Sequence, residues 1–208
     1  MPEACPQRAD GNRRGAGLSP LAGYVMPDDL RLQMEQRIAS RARLLFDALG
    51  ERALICTRRS AANHEAGHAV VFHAEGEPVR SVRIFKRNGE WGGWTSAGSK
   101  WRIAPDVPVD EQLRRARILF AGLAAELLAT QMVSAPCSVE LEIGQTICAS
   151  AADQAGLDVE DVYCGALLDT FKVLAERRRA LGAIAEELYT KRHVKGPRLA
   201  ALLGGLDG

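Results

Sequence analysis

Two histidines and a glutamate stand at a spacing that suits metal chemistry. The segment His64-Glu65-Ala66-Gly67-His68 has the form H-E-x-x-H. On a helix, residues four apart lie on one face, one turn from each other, so both imidazoles can reach one ion at about 2.0–2.1 Å. Glu65 then stands beside the ion and can take a proton from a zinc-bound water, whose pKa falls to about 7. The pattern predicts Zn²⁺ as the cofactor, His64 and His68 as ligands, and Glu65 as the catalytic base.

The other two histidines suit different roles. His73 is nine residues after His64, about half a helical turn away from the ligand face, so we expect it at the end of the helix. His193 is expected near a helix C-terminus, where the helix dipole favours an imidazolium. Within the motif, Gly67 costs a helix about 1 kcal/mol relative to alanine, and the small Ala66 and Gly67 predict close packing at that point.

The elements that hold the motif are predicted to be mainly helical. Residues 1–27 are rich in Pro, Gly, Arg and Asp and are expected to form a flexible tail, with a single domain over 28–208. Asn88-Gly89 predicts a tight hairpin turn, preceded by Val79, Val82 and Ile84 and followed by Trp91 to Thr95. The fold class is therefore mainly α (α+β), with a small sheet next to the motif helix. Capping, periodicity and breaker residues predict helices from Asp28 to Leu49, Ala61 to His73, Asp110 to Val133 and Ser138 to Ala152, and one or two between Leu157 and His193.

Two apolar groups have alternative interpretations. Leucines seven residues apart predict a buried core stripe, with an oligomerisation seam as the alternative: Leu167, Leu174, Leu181 and Leu188. Three tryptophans within eleven residues are expected to form a satellite core, with a substrate cleft as the alternative: Trp91, Trp94 and Trp101. The edge of the hairpin is also suited to binding an extended peptide by strand addition.

The composition limits the classes of partner and the compartment that we expect for this chain. The chain has 27 basic and 26 acidic residues, so its net charge of +1 gives no argument for a nucleic-acid or membrane partner. Arg177-Arg178-Arg179 is better explained as a solvated helix face than as a nucleic-acid site. The five cysteines include no C-x-x-C pair, which fits a reducing compartment. With no secretory signal pattern and no apolar run longer than Ile118 to Ala125, a cytoplasmic location is expected.

The residues around the motif resemble the zinc helix in the peptidase domain of FtsH-type ATP-dependent metalloproteases. The resemblance covers about 55–203. It is carried by Ala61 to Val71, by Pro78 to Ile84, by Gly93-Trp94-Thr95, by Ala121 to Glu126, by Leu157 to Val162, and by the C-terminal segment with Gly196 and Leu199 to Leu203. It implies a helical, zincin-like metallopeptidase domain. Glu126 is a candidate for orienting a ligand histidine, and a packing or surface role is the alternative.

The third metal ligand is where the sequence departs from that family. The family supplies an aspartate from a Ser-Asn-Asp sequence that opens a helix, whereas this chain reads Ser138-Val139-Glu140. Aligning the serines places Glu140 at the ligand position, and glutamate is an acceptable zinc ligand. The alternative is a solvated acidic residue in a helix's first turn, with Glu142 and Asp153 as substitute ligands; Asp158 and Asp161 fit less well.

The resemblance implies a zinc metalloendopeptidase that acts on peptides or unfolded protein. No G-x-x-x-x-G-K-[ST] loop is present, so a stand-alone, ATP-independent peptidase domain is expected, and a separate presenting partner or ATPase is a further expectation. The rival interpretation is a non-hydrolytic, metal-binding regulatory module on the same scaffold, which the Glu140 departure favours and the intact Glu65 opposes. The sequence does not predict an oligomeric state.

Overall fold

In the computed structural model, the H-E-x-x-H segment lies on a helix, α1 (Arg58–Ala74), that is buried along most of its length. The helix begins with a capping box: Thr57 Oγ1 accepts a hydrogen bond from the Ser60 amide at 3.1 Å, and Ser60 Oγ accepts one from the Thr57 amide at 2.8 Å. Every residue from Ser60 to Phe72 is buried. The motif therefore lies inside the protein, where its polar side chains require partners.

The structure describes residues 56–98, 107–130 and 137–204. The N-terminal segment 1–27, the helix predicted from Asp28 to Leu49, and Trp101 lie outside them. After α1 the elements are β1 (Val79–Arg87), β2 (Glu90–Ala97), α2 (Val109–Thr130), α3 (Cys137–Ala155), α4 (Val159–Glu176), α5 (Arg178–Lys191), β3 (His193–Lys195) and α6 (Gly196–Gly204). The predicted fold class, mainly helical with a small sheet beside the motif helix, is confirmed.

The small sheet is antiparallel, with strand order β2-β1-β3. The predicted hairpin is confirmed: Asn88 and Gly89 have φ values of 52° and 89°, the left-handed pair that a two-residue turn between twisted strands requires. Val82 and Ile84 of β1 are buried, and the sheet packs on α1 through this face. The third strand, β3, pairs Val194 with Val82 and was not predicted.

Helix α2 packs closely on α1, as Gly67 predicts. A Cβ atom at Gly67 would lie 2.5 Å from the carbonyl oxygen of Ala121 and 2.5 Å from Cβ of Ala125. Only a glycine allows the two backbones to approach this far. This close packing brings side chains of α2 against the buried histidines of α1.

The C-terminal third differs in detail from the prediction. One or two helices were expected between Leu157 and His193; the structure has two, α4 and α5, which meet at Arg177. Chain after Lys191 forms β3 and the separate short helix α6. The core interpretation of the leucine stripe is confirmed, since all four leucines are buried: Leu167, Leu174, Leu181 and Leu188. None of the helices in the described ranges combines the length and apolar character that crossing a membrane requires.

Candidate metal centre

Three side chains from two helices meet at one point. His64 Nε2 and His68 Nε2 of α1 lie 3.0 Å apart. One carboxylate oxygen of Glu140, in the first turn of α3, lies 3.0 Å from His64 Nε2 and 3.2 Å from His68 Nε2. Within the part of the chain that the structure describes, this is the one group of three or more His, Cys, Asp or Glu side chains placed to share a metal ion.

The outer nitrogens of both imidazoles are already occupied. His68 Nδ1 lies 2.9 Å from the backbone oxygen of Ile118, and a carbonyl can only accept, so Nδ1 carries the hydrogen. His64 Nδ1 lies 2.8 Å from Glu126 Oε1, and the Glu126 side chain is fully buried. In the neutral imidazoles, each Nε2 therefore presents a lone pair toward the other and toward the Glu140 carboxylate. A cation between these three acceptors would satisfy them, either as a proton on an imidazole or as a metal ion.

The dimensions of the group suit zinc. In a tetrahedral site with bonds of about 2.0–2.1 Å, ligand atoms lie roughly 3.3 Å apart. The three observed separations are 3.0, 3.0 and 3.2 Å. Two imidazoles and one carboxylate are also a donor set that zinc accepts, with a fourth position left for water or substrate. The residues thus fit the metal that the sequence predicts.

Glu140 is the acidic residue of α3 that reaches the histidines. Burial raises the pKa of its carboxyl, but attraction to His68 and hydrogen bonds with both imidazoles outweigh burial and hold the pKa well below its usual range. The substitute ligands are elsewhere: Glu142 and Asp153 are exposed, and Asp158 caps α4 by accepting hydrogen bonds from the amides of Glu160 and Asp161. The structure therefore brings Glu140, and none of these alternatives, to His64 and His68.

Glu65 lies beside the three ligand candidates in a cavity of about 330 Å³ that His68, Glu140 and strand β2 also line. Burial is the largest effect on its carboxyl and raises the pKa, against the attraction of the two histidines. Thr95 of β2 donates a hydrogen bond from Oγ1 to Glu65 Oε2 at 2.7 Å. A Cβ at Gly93 would overlap the Glu65 side chain, so the glycine leaves the room that this carboxylate occupies.

Other predicted residues lie away from the ligands. His73 is exposed in the last turn of α1, as expected. His193 lies near the C-terminus of α5, as expected: it is exposed at the start of β3, one residue beyond the left-handed Arg192 that caps the helix. The satellite-core interpretation of the tryptophans is wrong for Trp94, whose side chain is 61% exposed because it points to the open face of the sheet. Trp94 also lines the cavity, whereas Trp91 is partly buried against the core.

Three features of the site were not singled out from the sequence. They are the Ile118 carbonyl that holds His68, the Thr95 hydroxyl that holds Glu65, and Gly122, where a Cβ would overlap the His64 ring. A backbone carbonyl leaves no residue-type signal. The Gly-Trp-Thr and Ala-Gly-Leu-Ala-Ala-Glu segments were noted for their resemblance alone, and their contacts with the motif require the tertiary structure.

Comparison with known proteins gives a distant and partial relationship. No protein-family model matches the chain. Over 107 residues it is 37% identical to the ATP-dependent zinc metalloprotease FtsH 2 of Sphaerobacter thermophilus. The match covers 48% of this chain and 15% of that protein, so the chain spans a small part of its relative's length. The similarity supports at most an FtsH-like origin and, with the His64, His68 and Glu140 group, is consistent with a zinc metallopeptidase.

Proposed function

We propose that this chain is a zinc-dependent metallopeptidase that hydrolyses peptide bonds in peptides or unstructured protein segments. The observation that carries the proposal is the position of the Glu65 carboxylate. It lines the same cavity as His68 and Glu140, beside three acceptor atoms that converge on one point. A metal-binding module without hydrolysis has no need of a buried carboxylate there.

Each residue of the site has a distinct task in this proposal. His64, His68 and Glu140 would hold the metal, which, when bound, polarises the scissile carbonyl and supplies an activated water. Glu65 accepts a proton from the attacking water and passes it to the departing amine, as a general base and then a general acid. Burial raises the pKa of this carboxyl above its ordinary value, which makes the carboxylate a stronger base. Thr95 binds Oε2 and leaves Oε1 for the proton.

The substrate class follows from the strand that borders the cavity. Strand β2 is the outer strand in the order β2-β1-β3 among the described residues, and Gly93 to Ala97 line the cavity. An extended peptide that pairs with this strand would run past Glu65 with its backbone held by main-chain hydrogen bonds. Most backbone groups of a folded protein are already hydrogen-bonded, so unfolded substrates, or substrates presented by a separate unfolding partner, are proposed.

The test compares the wild type with Glu65→Gln, using Glu142→Gln as the control because Glu142 is exposed on the same helix as Glu140. Zinc content is measured on each purified protein, and cleavage of casein is followed by gel and mass spectrometry. We expect zinc in all three proteins, cleavage by the wild type and by Glu142→Gln, and a loss of at least about 100-fold in Glu65→Gln.

Two results would reject the proposal. If Glu65→Gln cleaves casein as fast as the wild type, the activity belongs to a contaminant or another site. If all three proteins hold zinc and none cleaves casein or a library of unstructured peptides, the metal-binding regulatory module is the correct function. In a separate Glu140→Ala protein, zinc bound as tightly as in the wild type would exclude Glu140 as a ligand.

A further inference from the structure

The face of the sheet turned away from α1 carries a second groove. Val82 and Ile84 of β1 are buried. Side chains alternate along a strand, so the residues next to them, Ser81, Arg83 and Phe85, lie on the opposite face. The strand register places Trp94 of β2 on one side of Arg83 and His193 of β3 on the other. The groove has a volume of about 610 Å³, and its lining includes Ser81, Arg83, Trp94, Arg192, His193 and Lys195.

The lining of this groove, as far as the structure describes it, is basic and includes no acidic residue. Arg83, Arg192 and Lys195 are all exposed. Within residues 56–98, 107–130 and 137–204, none of the three forms an ion pair with a carboxylate. The two guanidinium groups instead lie near aromatic rings, Arg83 5.8 Å from the Phe85 ring centre and Arg192 5.4 Å from that of Trp91. Among the described residues, the groove is thus lined by three cationic residues, in a chain whose net charge is only +1.

The groove and the cavity that contains Glu65 border the same strand, β2. Trp94 and Ser96 line both spaces. Thr95, between them in sequence, turns to the other side of the strand and hydrogen-bonds Glu65. A peptide paired with β2 would therefore point alternate side chains to the face of the sheet that carries Trp94 and the groove.

We propose that this groove binds acidic side chains of the peptide that occupies the Glu65 cavity, so that the preferred substrates are unstructured segments with Asp or Glu close to the scissile bond. The inference rests on the proposed function, because the occupant of the cavity is taken to be a peptide. Strands lie about 4.8 Å apart, so a peptide paired with β2 lies about 10 Å from Arg83 on β1, a distance that an arginine and an acidic side chain can span together. The acidic residues should therefore lie close to the cleaved bond, at positions whose side chains point to the groove.

A single-stranded nucleic acid is also anionic and also stacks on exposed aromatic rings. The peptide is favoured because the groove borders the edge strand β2, whose backbone groups can pair with a peptide backbone and not with a phosphate backbone. The distinction is made part of the test.

The test measures binding by the full chain carrying Glu65→Gln, so that no hydrolysis is needed. A fluorescent unstructured peptide with aspartates is compared, by anisotropy at low salt, with the same peptide carrying asparagines and with a labelled single-stranded DNA oligonucleotide. The groove variant is Arg83→Glu with Lys195→Glu. The matched control is Lys86→Glu, because Lys86 is exposed on the same strand but does not line the groove.

We expect the aspartate peptide to bind about tenfold more tightly than the asparagine peptide, with the preference removed by the groove variant and by high salt, and changed less than about twofold by Lys86→Glu. If the double variant does not fold by circular dichroism, Arg83→Gln should show a partial loss. Equal binding of the two peptides overturns the inference. So does an effect of Lys86→Glu as large as that of the groove variant, or tighter binding of the oligonucleotide than of the aspartate peptide.

The inference and the proposed function can fail separately. If the wild type cleaves no peptide while the Glu65→Gln protein keeps its groove-dependent preference for aspartate, the peptidase proposal is rejected and the acidic binding site is retained. If the wild type cleaves both peptides with the same KM and kcat, the peptidase proposal is retained and the preference for acidic substrates is rejected.

Discussion

Gly122 should control zinc affinity although it carries no side chain and cannot bind a metal. It lies on α2 directly against the His64 imidazole. A Cβ at this position would lie 2.5 Å from His64 Nδ1 and closer still to Cε1 and Nε2. Carbon atoms in ordinary contact are about 3.5–4.0 Å apart, so the ring of a Gly122→Ala protein must move by about 1 Å.

That displacement is large for a metal ligand. Ligand distances in a working site are held within about 0.2 Å, so His64 Nε2 would leave the group it forms with His68 and Glu140. Loss of His64 as one of the three ligands should weaken zinc binding by at least about 100-fold, or about 2.7 kcal/mol. The α2 helix itself should not suffer, because alanine is favoured over glycine in helices by about 1 kcal/mol.

The assay is competition for zinc against a fluorescent chelator, with circular dichroism to establish that the variant is folded. Gly182→Ala is the matched control, since Gly182 is exposed on α5 and a Cβ there meets nothing within 4 Å. We expect wild-type zinc affinity in Gly182→Ala and a rise of up to about 1 kcal/mol in its free energy of unfolding. A folded Gly122→Ala protein that holds zinc as tightly as the wild type would show that Gly122 does not set the position of the His64 ring.

Three further predictions follow from contacts around the site and the C-terminus. Glu126→Gln should weaken zinc binding by about 10- to 100-fold in chelator competition, because it removes the carboxylate that accepts the His64 Nδ1 hydrogen bond. Thr95→Val should leave zinc binding unchanged and lower kcat for a peptide roughly tenfold to hundredfold, since it removes the hydrogen bond to Glu65 Oε2. Hydrogen bonds from Arg198 and Lys191 lower the pKa of Glu187 to about 2, so Glu187→Gln should melt below the wild type at pH 7, and the gap should close as the pH falls from about 5 toward 2.

Features encoded by neighbouring residues were predictable from the sequence. The i, i+4 spacing of His64 and His68 is a property of one helix, and Asn88-Gly89 specifies its hairpin within two residues. Gly67 also signalled its own close packing, because a glycine inside a helix is unfavourable unless another group needs the space.

Features that join distant parts of the chain were not predictable in the same way. β3 is three residues long, and its partner strand lies more than 100 residues earlier, so no local pattern marks it. The position of Glu140 was inferred from a family resemblance, since 72 residues separate it from His68. The basic groove combines Arg83 with Arg192 and Lys195 from the opposite end of the domain, and a near-neutral net charge conceals it.

Anomalous diffraction at the zinc edge, on crystals of the zinc-loaded Glu65→Gln protein, would locate the metal and its ligands. We expect a full-occupancy peak within about 2.0–2.2 Å of His64 Nε2, His68 Nε2 and a Glu140 carboxylate oxygen, with the Nδ1 atoms of His64 and His68 still hydrogen-bonded to Glu126 and to the Ile118 carbonyl. A peak bound by other residues, or no ordered zinc with the two imidazoles turned away from each other, would contradict this expectation.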